Sequence, residues 1–284
     1  RHAPKDRALA RSYVLPALGR KKVADVRRLD IRNLHRRVTD AGKPIQANRL
    51  MALLSKMFAL AVTEYEMRPD NPAKSIPRNP ENKRERFLSQ KEIAALSDAL
   101  AAHPSRVAAD AIRMLLLTGA RKGEVLQMGW DQVDMDRGVW VKPSHHTKQK
   151  KDHRVPLSAP ALQLLQDIAS RQEAGEPHVF PGAEPGQPIK DISTSWENIR
   201  ARAGVEDVRL HDLRHTYASI LVSAGLSLPM IGALLGHTQQ ATTQRYAHLY
   251  DDPLREATER VGAVLSGAGG GADVVPMKRG QGDG

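Results

Sequence analysis

The stretch "RPDNPAKSIPRNPENKRER", residues 68–86, constrains this chain more than any other. It holds four prolines within twelve positions, followed by a run of basic side chains. Proline removes a backbone donor and fixes φ, so no helix or central strand can cross such a segment. The chain must therefore fold as separate bodies on either side. The sequence predicts a helical domain over 1–68, a basic proline-rich linker over 69–86, a larger domain over 87–260 and a flexible Gly-rich tail over 261–284.

The first domain reads as helical. In "DIRNLHRRV", Ile31, Leu34 and Val38 recur at helical spacing, and Arg32, Arg36 and Arg37 take other positions. "ANRLMALLSKMFALAVTEYEM" places Leu50, Leu53, Leu54, Met57, Phe58 and Ala61 on one stripe, with Asn48, Arg49, Ser55 and Lys56 off it. Past the linker, Ser89 and Glu92 stand at capping-box spacing and predict a helix start. A buried helix, a turn at Gly119 and a second helix follow in "RVAADAIRMLLLTGARKGEVLQM". The β-type runs "GVWVKPS" and "HRVPLS" flank the polar "HHTKQKKD". The remainder is helical, including "VRLHDLRHTYASILVSAG", whose Leu210, Leu213, Ile220 and Leu221 mark it as a core element ending at Gly225. The fold class expected is mainly α with a small β-hairpin or sheet.

Charge narrows the partner. Lys and Arg number 43 against 32 Asp and Glu, a formal net charge of +11. A polyanion is the economical complement, and nucleic acid is the commonest. Cysteine is absent, which excludes a disulfide framework and thiolate metal sites. No apolar run reaches the roughly 18–20 residues of a membrane helix. With no signal peptide in "RHAPKDRALAR", a cytoplasmic protein with no membrane partner is expected.

Several polar residues sit where a core is expected. His211, Arg214 and His215 fall at i, i+3 and i+4 on the core helix and should face a cleft or an ion partner. A shared metal on His211 and His215 lacks the Glu of an H-E-x-x-H helix, where this chain has Asp212 and Leu213, so no metal is assigned. Arg121 opens a short helix after Gly119, with Glu124 three residues on. His237 closes "LLGH" nine residues before Tyr246, and Tyr246 and Tyr250 would share one face of a helix.

In this order, "TGARKGEVL", a hairpin Lys eight residues before Pro156, "HDLRH", "LLGH" and "TTQRYAHL" resemble the catalytic domain of the tyrosine recombinases, the phage-integrase family, over about residues 85–255. The first 68 residues look like that family's helical core-type DNA-binding domain, beginning part-way into its first helix and without an arm-binding domain. The resemblance implies a site-specific recombinase that cleaves and rejoins DNA through a 3′-phosphotyrosine, with no ATP, metal or other cofactor. It assigns Tyr246 as nucleophile and Arg121 and Arg214 as phosphate clamps. Lys148 becomes the hairpin lysine, His211 and His237 complete the pocket, and Glu124 is the acidic support. Tyr250 matches nothing catalytic and is read as packing.

The residue types suit that chemistry. A free phenol titrates near pH 10 and needs a base or a strongly positive pocket to attack. Rigid guanidinium groups can hold the charge that grows on a five-coordinate phosphate. His211 is expected to share the phenol proton, His237 to donate to a phosphate oxygen and Lys148 to protonate the departing 5′-oxygen. Lys150 and Lys151 compete for that last role or hold DNA backbone, and Arg32, Arg36, Arg37, Arg49 and Lys56 are expected to bind DNA. The partners implied are double-stranded DNA, a homotetramer on that DNA and DNA-bending accessory proteins, in the nucleoid of a bacterial or phage-infected cell. A type IB topoisomerase shares the chemistry, though the compact amino-terminal helical domain speaks against it. A catalytically silent or truncated DNA-binding relative is the other alternative.

Overall fold

The computed structural model describes residues 3–81, 85–143, 152–237 and 240–250, together with 258, 259, 261 and 263. The chain divides into two units, Arg1–Arg84 and Glu85–Gly284.

In the first unit, α1 (Ala3–Leu9) passes through a π-helical stretch, Ala10–Val14, into α2 (Leu15–Leu18). Helices α3 (Arg28–Asp40) and α4 (Pro44–Thr63) pack against each other. Pro44 opens α4, where a missing N–H costs no hydrogen bond. The α3 stripe is as the periodicity predicts: Ile31, Leu34 and Val38 are buried. The α4 stripe is rotated from expectation. Met57 is exposed, and the buried line runs through Ala47, Leu50, Met51, Leu54, Phe58 and Ala61. Asn48, expected off the stripe, is buried as well. Its amide donates to Asn79 O (2.9 Å) and Glu81 Oε1 (2.8 Å) and accepts from Asn79 N (2.9 Å). Those bonds meet the condition for burying a polar side chain. They also fasten the proline-rich stretch to α4, and Ala73 and Ile76 of that stretch join the hydrophobic core.

The second unit begins with α5 (Gln90–Ala101), started by the Ser89–Glu92 capping box. α6 (Arg106–Thr118) ends at Gly119 in the left-handed region (φ 60°), and α7 (Lys122–Leu126) follows. An antiparallel sheet comes next, ordered β1 (Val133–Asp134), β2 (Val139–Lys142), β3 (His153–Pro156). Val139 pairs with Pro156 and Lys142 with His153. The sequence marked β2 and β3; β1 is too short to show a period. Then come α8 (Ala159–Ala169), α9 (Ser193–Arg202), α10 (Leu210–Ser223), α11 (Leu228–Leu235) and α12 (Gln240–Thr243). A 3₁₀ segment, Gln244–Tyr250, follows.

The main core of this unit gathers Ile112 and Met114 of α6, Trp140 of β2, Leu165 of α8, Trp196 of α9 and Leu213 of α10. A second cluster joins Ala218 and Val222 of α10 to Ile231 and Leu235 of α11 and to Tyr246. Helix α10 thus serves both cores. Ile220, expected inside, is exposed. Tyr246 and Tyr250 lie in a 3₁₀ segment rather than an α-helix. At about three residues per turn, positions four apart no longer share a face. Among the described residues no helix is long and apolar enough to cross a membrane.

Candidate active site

Arg214 is the centre of the polar cluster. It lies on α10, is 4% exposed, and spends two guanidinium nitrogens on backbone carbonyls. One donates to Gly119 O at 2.7 Å and the other to Leu235 O at 2.8 Å. Gly119 ends α6 and Leu235 ends α11, so one side chain fastens three helix segments together. Burial and the nearby Arg121 charge lower its pKa to about 10, and it stays a cation at neutral pH.

Arg121 stands at the N-cap of α7, delivered by the Gly119 turn. Its guanidinium donates to Glu124 Oε1 at 2.7 Å, and its side chain is half exposed. Glu124 is nearly buried, and its second oxygen accepts from Lys142 Nζ at 2.8 Å. Burial alone would push this carboxyl up. The Lys142 and Arg121 charges outweigh it and hold Glu124 at about 2. Lys142 is itself a buried cation at the end of β2, lying 4.5 Å over the Trp140 ring. Burial lowers its pKa, and Glu124 opposes the drop.

His211, His215 and His237 border this cluster, and desolvation lowers the pKa of all three, with Arg214 adding to the effect on each. His215 and His237 fall to about 4, so both rings are neutral at pH 7. His237 follows the left-handed Gly236 at the end of α11 and hydrogen-bonds Thr243 Oγ1 through Nδ1 at 2.8 Å. His211 meets the His215 ring edge-on, with centroids 5.0 Å apart.

Tyr246 is 5% exposed. Its hydroxyl lies 2.7 Å from His215 Nδ1. Burial raises its pKa, and the positive charges of Arg214 and Arg245 pull the other way. The phenol is thus held protonated against a neutral imidazole, beside cations.

Of the residues singled out in the sequence, Arg121, Glu124, His211, Arg214, His237 and Tyr246 come together here. Lys148, Lys150 and Lys151 lie outside the described residues, as does the Tyr250 side chain. Arg32, Arg36 and Arg37 on α3 and Arg49 and Lys56 on α4 are exposed side chains of the first unit, and Arg49 has a 3.5 Å ion pair with Glu81. The sequence reading gave no chemical role to four further residues. Lys142 and Arg245 add positive charge, and His215 holds the phenol. His153 of β3 donates from Nε2 to Ala233 O at 2.7 Å, packed against Gly236. Only His215 carried a signal, through its i+4 spacing from His211. Among the described residues no three His, Asp or Glu side chains come together as a metal cage. The arrangement is an anion pocket built from guanidinium groups, neutral imidazoles and one buried phenol.

Residues 86–252 match the model of the phage integrase family, and residues 1–76 match that of the phage integrase central domain. The integrase of Salmonella phage P22 is 29% identical over 233 residues, covering 76% of this chain and 57% of that protein. The chain therefore spans little more than half the length of that relative. The Tn1549 transposon integrase in complex with a circular intermediate DNA superposes with a TM-score of 0.72 at 18% identity, covering 92% of this chain and 94% of that one. A lambda integrase tetramer bound to a Holliday junction gives a TM-score of 0.66 at 18% identity, covering 84% of this chain and 71% of that one.

Proposed function

Because the chain belongs to the phage integrase family, we propose that it is a site-specific DNA recombinase that cuts and rejoins strands through a 3′-phosphotyrosine formed on Tyr246. One observation supports this reading above the others: a buried, protonated phenol stands beside Arg214, itself buried and fully charged. Such a pocket has little use for a neutral ligand.

In the proposed reaction Arg121, Arg214 and His237 hold the non-bridging oxygens of the scissile phosphodiester. Charge grows on those oxygens as Tyr246 Oη attacks phosphorus, and preorganised donors stabilise it without reorganising. The P–O5′ bond breaks, Lys148 protonates the departing oxygen, and Tyr246 keeps the 3′-phosphate. The phosphotyrosine ester conserves the energy of the broken bond, so a second 5′-hydroxyl can reverse the attack and seal a new junction without ATP. Glu124 acts one step back, fixing Arg121 in place.

The same reading makes double-stranded DNA the partner, with Arg32, Arg36, Arg37, Arg49, Lys56, Lys150 and Lys151 on its phosphates. Residues 1–68 are a core-type DNA-binding domain, 69–86 the linker, 87–260 the catalytic domain and 261–284 the tail. Four protomers act on two duplexes, assisted by DNA-bending proteins, in the nucleoid-containing cytoplasm.

The test is covalent capture. A library of nicked duplexes of randomised sequence is incubated with the protein without ATP or Mg²⁺, then run on a denaturing gel. Wild type should retain DNA as a protein adduct and Tyr246→Phe should retain none, while binding on a native gel stays unchanged. An adduct in the Phe variant would remove Tyr246 as the nucleophile.

A further inference from the structure

His215 is the one imidazole in the cluster that touches the hydroxyl expected to react. The 2.7 Å contact joins Tyr246 Oη to His215 Nδ1, and the two rings are tilted by 57° with centroids 5.7 Å apart. His211, the expected proton acceptor, is instead engaged edge-on with the His215 ring. We propose that His215 holds the Tyr246 hydroxyl for attack and takes its proton as the Oη–P bond forms. The proposal rests on reading Tyr246 as the nucleophile.

The protonation states decide who donates across this contact. Tyr246 carries its proton, because burial disfavours the phenolate. His215 is neutral, because burial and the neighbouring His211 and Arg245 disfavour the imidazolium. The phenol O–H therefore donates to a bare Nδ1 lone pair, and the imidazole proton sits on Nε2. The groups facing His215 are His211, Asp212 and Arg214 on α10 and Arg245 on the 3₁₀ segment. Three of these four are basic groups that oppose a charged His215. A phosphodiester brings negative charge into the same space and offsets part of that opposition, so His215 accepts a proton more readily with substrate bound than without it. In the attack, Oη bonds to phosphorus, the P–O5′ bond breaks, and the Oη proton moves to Nδ1. The 5′-oxygen receives a separate proton, for which Lys148 is the proposed source. Resealing runs the same transfers backwards. His211 is left to serve the phosphate rather than the phenol.

The experiment uses the nicked duplex captured most strongly from the randomised library and measures single-turnover adduct formation from pH 6 to 9. Wild type should be nearly flat across this range. His215→Ala should be slower by about 10²–10⁴-fold, the usual span for a lost general base. Its rate should climb with pH, because solvent must then take the proton. His215→Asn keeps an acceptor oxygen close to the Nδ1 position but cannot accept a proton. It should lose less rate and show the same climb. On a duplex with a 5′-bridging sulfur, whose thiolate leaves without a proton, Lys148→Ala should recover and His215→Ala should not. Thermal unfolding and native-gel binding check that each variant folds, and His215→Asn carries the test if the Ala variant does not. A wild-type rate in His215→Ala, a loss that is flat in pH, or recovery on the sulfur duplex overturns the proposal. Adduct formation by Tyr246→Phe, or none by wild type, overturns the nucleophile reading and the His215 inference with it.

Discussion

Glu124 shows how much of this site depends on single charges. It takes two hydrogen bonds from Arg121, one from the backbone and one from the guanidinium, and one from Lys142, a buried cation whose other close neighbour is the Trp140 ring. Its folded pKa is about 2, below the roughly 4.3 of an unperturbed Glu. A depressed carboxyl contributes stability above its unfolded pKa and loses it as pH falls through the folded value. The contribution should therefore fade between about pH 4.5 and 2, and Glu124→Gln should flatten the acid limb of stability in that window. The same variant strands Lys142 in the interior, so at pH 7 it should cost about 3–5 kcal/mol. Glu124→Gln combined with Lys142→Met should recover much of that in urea unfolding. If the double variant is no more stable than the single, Lys142 is not the stranded charge.

At the scale of elements, the turn between α6 and α7 is the critical joint. Gly119 has φ 60°, and a Cβ there would lie 2.4 Å from the Tyr217 ring. Its carbonyl accepts from Arg214, and two residues later the chain delivers Arg121. One turn thus sets both guanidinium groups. Gly119→Ala combines left-handed strain of about 1–2 kcal/mol with overpacking of about 1–3 kcal/mol. It should lower the melting temperature and cut adduct formation far more than DNA binding. Equal losses in both would mean that the turn supports the fold without setting the guanidinium groups. Helix α10 is the other organising element. It contributes Leu213 to the main core and Ala218 and Val222 to the smaller one, and it carries His211, Arg214 and His215 between them. The apolar anchors on both sides hold those polar side chains in place.

Over the whole molecule, the excess of eleven positive charges predicts how the protein meets DNA. Phosphate contacts release counterions, so affinity should fall steeply and linearly on a log–log plot against salt. Replacing Arg32, Arg36 and Arg37 together with Gln should reduce the slope by about 3 if all three touch phosphates, since each contact contributes close to one unit. An unchanged slope would place DNA on another face of the first unit. The exposed positions of these residues on α3 make the test clean, because their loss leaves the buried Ile31, Leu34 and Val38 line intact.

The mainly helical class with its small sheet was legible in the residues alone, because helical spacing and the Pro and Gly breaks are local properties. The sequence also placed the Ser89 cap, the Gly119 turn and the order of the polar motifs. Positions such as Met57 and Ile220 had apolar character but are exposed, and Asn48 is buried. Burial depends on which neighbours arrive, and Asn79 and Glu81 reach Asn48 from over thirty residues away. The 3₁₀ winding around Tyr246 was hidden for the same reason, since its pitch is set by packing on α10 and α11. Spacing put His211 and His215 on one side of a helix and could not say which one meets the phenol. That choice is made by packing, because α10 and the 3₁₀ segment bring Tyr246 Oη within hydrogen-bond reach of His215 Nδ1.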